Sequence, residues 1–277
     1  MADQPSENFY RRLIANPKRI YVVAEANLQL GGGKERALAF ARAARWAGAD
    51  AVTFQTVRPD LPLDTLRALH KEANRIGVEF LSTPFDEEDV DLFDSLGASG
   101  FKIVSKDMTR RPLIEHAGRK GKPVVLSTGE SAIEDIENAI DWIQSQLNGQ
   151  VILLHGASSY SAGREELDVV SVQFLRERFD APVGFSDHSA GPLRSVVASS
   201  LGAQVIERRF TIETRADTAD SAASLDAKTL KTHIEELRAV GAILAERGRF
   251  MSEAGRPTGC RPEFMSRRSS ENYRTAS

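Results

Sequence analysis

The chain contains eight short apolar segments, each of which ends on a polar residue and is followed by a stretch with helical periodicity. The segments begin roughly 20 to 30 residues apart, which is the length of a βα unit. Eight such units in succession predict a closed (β/α)8 TIM barrel of the α/β class. The predicted strands are residues 20–26, 50–56, 78–83, 100–105, 122–128, 150–156, 182–186 and 203–210.

An open, doubly wound parallel sheet is the alternative architecture for this alternation of strands and helices. Such sheets usually carry a glycine-rich phosphate-binding turn directly after the first strand. The glycines at 31–33 resemble such a turn, but they lack the GxGxxG spacing and lie several residues beyond the strand. We therefore interpret them as the start of the first barrel helix.

The composition is that of one globular domain followed by a polar tail. We predict the barrel, with a short N-terminal extension, for residues 1–250 and a tail rich in glycine, proline, serine and arginine for residues 251–277. The net charge of −3 gives no bias toward nucleic acid, and no apolar run is long enough for a membrane helix. The single cysteine and the absence of an N-terminal apolar segment predict a cytoplasmic protein without a signal peptide.

The carboxyl ends of the strands converge on one rim of such a barrel, and active sites lie at that rim. The strand pattern places there Glu25, Gln55, Thr83, Ser105, Ser127, His155, Ser186, Asp187, His188, Glu207 and Arg209. This combination of hydroxyl groups with charged side chains indicates a site for an anionic substrate.

Four hydroxyl groups and one ammonium group form the predicted anion site. They belong to Thr83, Lys102, Ser105, Ser127 and Ser186. The hydroxyl groups can donate hydrogen bonds to a phosphate or carboxylate, and the lysine supplies positive charge. Each hydroxyl group alone is also compatible with a helix N-cap. Lys102 is the more specific signal, because a lysine inside a barrel strand needs an anionic partner.

Glu25 ends the first strand and has two interpretations. At the rim, its carboxylate is a candidate for acid or base catalysis. Alternatively, the carboxylate forms a structural ion pair with Lys102 or Arg209. The sequence leaves both interpretations open.

The histidines divide into two at strand ends and three on predicted helices. His188 follows Ser186-Asp187 at the end of strand seven and is a candidate for metal binding or proton transfer, unless Asp187 is a helix cap and His188 is incidental. His155 ends strand six and is either catalytic or a hydrogen-bonded core residue. We expect the remaining three at the surface: His70, His116 and His233.

Several unusual strings stand in order at the predicted strand ends and carry a family resemblance. They are Phe54-Gln55-Thr56, Phe80-Leu81-Ser82-Thr83-Pro84-Phe85-Asp86, Phe101-Lys102-Ile103, the segment 122–129, Ser158-Ser159-Tyr160 and Gly184-Phe185-Ser186-Asp187-His188. Over residues 20–244 the chain resembles the sialic acid synthase family. Members of that family condense phosphoenolpyruvate with an N-acylated amino sugar to form nonulosonic acids.

The resemblance implies roles for residues of the predicted rim. The positions that hold phosphoenolpyruvate in the family match Thr83, Lys102, Ser105, Ser127 and Ser186. Glu25 matches the family's glutamate on strand one, Gln55 matches a polar site residue, and Asp220 matches an aspartate that contacts the sugar. The resemblance also implies a homodimer.

The chain departs from the family at the metal and sugar positions. The family binds a divalent metal with two histidines, of which one matches His188 and the other is replaced by Arg209. A guanidinium group cannot ligate a metal. We therefore expect no tightly bound cofactor and at most a weak Mn²⁺ or Mg²⁺ site that includes His188. Thr53 replaces a second phosphoenolpyruvate-binding lysine, and the loop 57–63 is shorter than the family's sugar-contacting loop.

The C-terminal antifreeze-like domain of the family has no counterpart in this sequence. Residues 251–277 resemble the linker that leads to that domain, and a separate capping protein is therefore one candidate partner, which the sequence leaves open. We predict an enzyme that condenses phosphoenolpyruvate with a sugar or other carbonyl acceptor different from N-acetylmannosamine. Its expected catalytic residues are Glu25, His188 and Arg209, and we expect Arg209 to polarise the acceptor carbonyl. The alternative is a non-catalytic paralogue that binds a small phosphorylated or carboxylated ligand in a regulatory role.

Overall fold

The computed structural model describes residues 8–26, 33–54, 62–156, 168–189, 191–212 and 224–253, with side chains described up to residue 245. The strands are β1 (Tyr21–Ala26), β2 (Ala51–Phe54), β3 (Glu79–Ser82), β4 (Gly100–Ile103), β5 (Val124–Ser127), β6 (Val151–His155), β7 (Val183–Asp187), β8 (Val205–Thr211) and β9 (Leu225–Asp226). The helices are α1 (Phe9–Ala15), α2 (Gly33–Ala47), α3 (Leu63–Ile76), α4 (Glu87–Ser95), α5 (Arg111–Arg119), α6 (Ile133–Gln144), α7 (Ser171–Arg178), α8 (Leu193–Ser200) and α9 (Ala227–Glu253).

Strands β1 to β8 pair in chain order, all parallel, and β1 also pairs with β8. This last pairing closes the sheet, so the (β/α)8 barrel prediction is confirmed and the open-sheet alternative is wrong. All eight predicted strands occur, with ends that differ by one or two residues. The first barrel helix begins at Gly33, which agrees with the interpretation of the glycine run as a helix start.

The apolar residues form two layers, as the alternation of side chains along each strand requires. One layer fills the barrel interior and includes Val23, Leu81, Val125 and Leu154. The other lies between the strands and the surrounding helices. Successive residues of a strand face opposite layers. The position of a charged residue in its strand therefore decides whether its side chain faces the barrel interior or the surrounding helices.

Helix α1 closes the amino-terminal end of the barrel. Its residues Phe9 and Leu13 are buried and belong to the interior layer. Asn8 caps the helix by accepting a hydrogen bond from the backbone N–H of Arg11 at 3.0 Å. Gly100 makes room for this helix, since a Cβ atom there would lie 3.0 Å from Phe9 and 2.7 Å from the Pro123 carbonyl oxygen. The segment that the sequence indicated only as an N-terminal extension therefore contains a helix that closes this end of the barrel.

Helix α9 runs to Glu253, a few residues past the predicted end of the barrel domain. Residues 254–277 lie outside the described residues, so the tail stays a prediction. Within the described ranges, no helix is both long and apolar enough to cross a membrane.

The predicted surface positions of His70 and His233 are wrong, because both side chains are 2% exposed. His70 lies on the buried face of α3, where its ring contacts the ring of Phe80 at a centroid distance of 4.1 Å. Within the described part of the chain, neither ring nitrogen of His70 has a hydrogen-bond partner. An imidazole in this environment is stable only in its neutral form.

We expect His70 to make the fold acid-sensitive. Burial, with a smaller contribution from Lys122, lowers the pKa of His70 from 6.5 to about 4. Between these values the unfolded chain binds a proton that the folded chain does not, so stability is lost as the pH falls from 6.5 to 4, by up to about 3 kcal/mol. Urea unfolding across this pH range measures the loss. His70→Phe should flatten that part of the profile, and an unchanged slope would contradict the assignment.

Candidate functional site

A polar layer lies above the apolar interior, at the carboxyl ends of the strands. Its members lie two or four residues after an inward-facing position of the same strand, so they face the barrel interior. They are Glu25, Thr53, Thr83, Lys102, Ser127, Ser186, His188, Glu207 and Arg209. In the barrel register, Glu25 lies between Thr53 on β2 and Arg209 on β8. The strand ends thus bring most of the predicted site residues to one place.

Lys102 lies at the centre of this layer and is paired with two carboxylates. Its ammonium nitrogen is 2.6 and 2.7 Å from the two carboxylate oxygens of Glu207 and 3.6 Å from Oε1 of Glu25. The lysine is 5% exposed and both glutamates are 1% exposed. Burial alone would lower the pKa of Lys102, but Glu207 and Glu25 outweigh it and raise the pKa above its ordinary value. Lys102 is therefore positively charged at neutral pH.

Glu25 joins this lysine to Arg209. The guanidinium Nε of Arg209 donates a hydrogen bond to Oε2 of Glu25 at 3.0 Å. Burial would raise the pKa of Glu25, but the charges of Lys102 and Arg209 outweigh it and lower that pKa to about 2. Both ion pairs considered for Glu25 are therefore present, and its carboxylate is ionised at neutral pH. Glu25 can accept a proton but has none to donate.

His188 and Ser186 connect β7 to the same charge network. The Ser186 hydroxyl donates to Oε1 of Glu207 at 2.7 Å and lies 3.1 Å from Nε2 of His188. Burial lowers the pKa of His188, and the effects of the surrounding charges partly cancel. The imidazole is therefore neutral at neutral pH, which is the form that binds metals and accepts protons.

Glu25, His188 and Glu207 form a cluster that fits a divalent cation. Each contributes one oxygen or nitrogen atom, and these atoms all lie within 4.8 Å of one another. Two carboxylates and one imidazole suit Mn²⁺ or Mg²⁺. Both carboxylates, however, already neutralise Lys102 and Arg209, so a metal ion has to compete with these two cations. The geometry is compatible with a weak divalent metal site.

Other predicted residues differ in their positions. Ser105 lies half-buried in a 3₁₀ turn (Ser105–Asp107) directly after β4. His155 lies on the helix-facing side of β6 and is 3.1 Å from the Thr128 hydroxyl, which agrees with the core interpretation rather than the catalytic one. Gln55 and Asp220 lie outside the described residues.

Glu207 belongs to the predicted rim, but neither the strand pattern nor the family resemblance assigned it a role. Its position two residues before Arg209 is the signal that both side chains face the same side.

A closed parallel barrel with charged and hydroxyl side chains gathered at the carboxyl ends of its strands has the architecture of the (β/α)8 barrel enzymes. The chain belongs to the NeuB family, whose sequence model matches residues 58–248. It is 31% identical over 259 residues to the N,N'-diacetyllegionaminic acid synthase of Legionella pneumophila, and the match covers 81% of this chain and 73% of that protein.

Solved structures give the same assignment. The crystal structure of N-acetylneuraminic acid (sialic acid) synthetase from Leptospira borgpetersenii, in complex with citrate, matches with a TM-score of 0.75 at 25% identity, over 86% of this chain and 93% of that one. The spore coat polysaccharide biosynthesis protein SpsE of Bacillus subtilis matches with a TM-score of 0.75 at 30% identity, over 83% and 70%. The resemblance to sialic acid synthases that the sequence motifs predicted is thereby confirmed.

Proposed function

We propose that the protein condenses phosphoenolpyruvate with a sugar or other carbonyl compound different from N-acetylmannosamine. The observation that carries this proposal is the buried Lys102, which is paired with Glu207 and Glu25 in a layer that also carries hydroxyl groups, and Glu25 in turn binds Arg209. Its relatives include synthases of legionaminic, pseudaminic and sialic acids. Both the polar layer and the family therefore support an anionic donor substrate.

The reaction forms a carbon–carbon bond between the methylene carbon of phosphoenolpyruvate and the carbonyl carbon of the acceptor. Water adds to C2 of the donor, inorganic phosphate leaves, and the acceptor oxygen gains a proton. Lys102 with Thr83, Ser127 and Ser186 would hold the phosphate and carboxylate groups. Glu25 is ionised, so it would orient the attacking water by accepting a hydrogen bond from it.

Arg209 is suited to the acceptor side of the site. It is 5% exposed, and its guanidinium group is held by Glu25 on one edge. A guanidinium group carries several N–H donors, so it can bind Glu25 and also donate to a carbonyl oxygen that gains negative charge as the new bond forms. Fixed donors aimed at a developing oxyanion commonly contribute a factor of roughly 10² to 10³ to the rate. This role would account for an arginine at a position where the resemblance implies a metal-binding histidine.

The charges of the polar layer set a condition for binding the donor. Lys102 and Arg209 are balanced by Glu25 and Glu207, so the described residues of the layer have no surplus positive charge for a polyanion such as phosphoenolpyruvate. A divalent cation on Glu25, His188 and Glu207 would supply that surplus. The protein would thus bind metal ion and donor more tightly together than either alone.

We expect purified protein to lack a stoichiometric tightly bound metal, and Mn²⁺ to bind weakly but more tightly when phosphoenolpyruvate is present. Calorimetric titrations of Mn²⁺ with and without the donor measure both effects. Arg209→His replaces a competing cation by a ligand, so its Mn²⁺ affinity should exceed that of wild type by roughly tenfold or more. A stoichiometric metal that survives dialysis against a chelator, or equal affinities with and without the donor, would contradict this view.

Phosphate release from phosphoenolpyruvate tests the function itself. The protein should release phosphate in the presence of Mn²⁺ or Mg²⁺ and one member of a panel of aldoses and N-acylated amino sugars, and release with N-acetylmannosamine should be negligible. Rapid release with N-acetylmannosamine would show that the acceptor assignment is wrong. Tight donor binding without release for any acceptor would instead favour a non-catalytic protein that binds phosphorylated ligands.

A separate capping protein and a homodimer remain predictions. Titration with candidate partners tests the first, and light scattering tests the second.

A further inference from the structure

Strands β7 and β8, with His188 directly after β7, carry four of the nine members of the polar layer, and each strand also carries a charged side chain that faces away from the layer. Asp187 on β7 and Arg208 on β8 are paired in the barrel register and point into the layer between strands and helices. Their side chains are 0% exposed. Their neighbours in sequence face the opposite way, into the site, and are Ser186, His188, Glu207 and Arg209.

Arg208 bonds to three oxygens at the end of β7. Its Nη1 is 2.7 Å from Oδ1 of Asp187 and donates to the Asp187 carbonyl oxygen at 3.1 Å. Its Nη2 donates to the carbonyl oxygen of Ser189. A planar guanidinium group can hold several acceptors at fixed angles, which a single ammonium group cannot do. The arginine therefore fixes both the side chain and the backbone of β7 where it enters the loop.

Asp187 continues this contact to helix α8. Its Oδ1 accepts from the N–H and hydroxyl of Ser189 at 2.9 and 2.6 Å. Its Oδ2 accepts from the N–H and hydroxyl of Ser195, in the first turn of α8, at 3.1 and 2.5 Å. One carboxylate thus joins β8, the end of β7, the following loop and the start of a helix.

Stability alone does not require a charged pair at this place. A buried ion pair loses the hydration of both charges, and apolar side chains of similar volume often stabilise a protein equally well or better. The geometric consequence is specific, however. Ser186 and Glu207 are also register partners, and their 2.7 Å hydrogen bond needs β7 and β8 to keep this alignment.

We propose that Asp187 and Arg208 are positioning residues, which hold the ends of β7 and β8 so that Ser186, His188 and Glu207 converge on the ligand. The outward-facing pair Asp187–Arg208 fixes the alignment of β7 with β8. This alignment in turn determines where the inward-facing side chains lie. The inference rests on the proposed function in one respect, which is that the polar layer is the ligand site.

The test neutralises the pair without removing the helix cap. In the double variant Asp187→Asn with Arg208→Met, the asparagine keeps one acceptor oxygen for the N–H and hydroxyl of Ser195 at the start of α8 and loses the acceptor for Ser189, and the methionine fills most of the arginine's volume. We expect a melting temperature close to wild type, an affinity for phosphoenolpyruvate with Mn²⁺ that is lower by at least about tenfold, and broadened or multiple His188 imidazole signals in ¹H–¹⁵N spectra. The matched control is Arg111→Met with Glu115→Gln, which neutralises an exposed ion pair on α5.

Each result bears on the proposal in a defined way. Wild-type affinity and a single sharp His188 signal in the folded double variant would overturn it. If wild type does not bind phosphoenolpyruvate, the proposed function fails, but the His188 signals still test the positioning. If the double variant does not fold, Arg208→Lys decides the question, because it keeps the charge and loses the planar fork. Unchanged affinity and signals in that variant would overturn the proposal.

Discussion

Lys102→Met is expected to weaken the binding of phosphoenolpyruvate and of inorganic phosphate by about 1.5–3 kcal/mol, the range for hydrogen bonds to charged groups. Lys102 is the ammonium group of the polar layer and the partner of two buried carboxylates. Without it, Glu207 and Glu25 keep Arg209 as their cation among the described residues of the layer, and an anionic ligand meets net negative charge. Calorimetric titration of both ligands measures the loss.

The same substitution should also destabilise the fold. Removing one partner of a buried ion pair commonly costs about 3–5 kcal/mol, because the remaining charge is left uncompensated. Lys71→Met is a suitable control, since Lys71 is exposed on α3 and lies outside the barrel interior. Equal ligand affinities for Lys102→Met and wild type would show that the anion site lies elsewhere.

Phe9→Ala is expected to destabilise the protein by about 3–5 kcal/mol, the usual cost of truncating a buried phenylalanine. Phe9 is 1% exposed, and its ring centroid lies 5.4 Å from that of Tyr21 inside the barrel. Deleting the ring leaves a cavity that the rigid strands cannot close. Unfolding in urea at pH 7 measures the change.

Ile14→Ala on the same helix provides the control for this prediction. Ile14 is 50% exposed, so its truncation should change stability by no more than about 0.5 kcal/mol. A loss below about 1 kcal/mol for Phe9→Ala would mean that α1 is not an essential part of the barrel core.

Several features of the site follow from the sequence alone, since they depend on local periodicity. The spacing of the apolar segments predicts the number and order of the strands. Alternation within a strand then fixes which residues share a face, so the strand pattern suffices to assign Thr83, Lys102, Ser127 and Ser186 to one site. The same rule places Glu207 on the same face as Arg209, so a role for Glu207 in the site could also be predicted from its spacing.

Other features depend on contacts between distant parts of the chain. Lys102 and Glu207 are 105 positions apart and meet only because the barrel closes. Helix α1 has seven residues, too short to be stable alone, so its role in closing the barrel end comes from the interior that receives it. His70 and His233 are buried because the surrounding helices and strands cover them, which their positions on predicted helices did not reveal.

The sequence by itself determined the barrel, the family and which polar side chains share the layer at the strand ends, because strand periodicity and short motifs are local properties of the chain. The tertiary structure alone decided which charges neutralise one another. Closure of β8 against β1 sets Arg209 beside Glu25, and the width of the barrel lets Lys102 reach Glu207. Electrostatic energy depends on the distances between charges, and those distances are fixed only when the sheet closes.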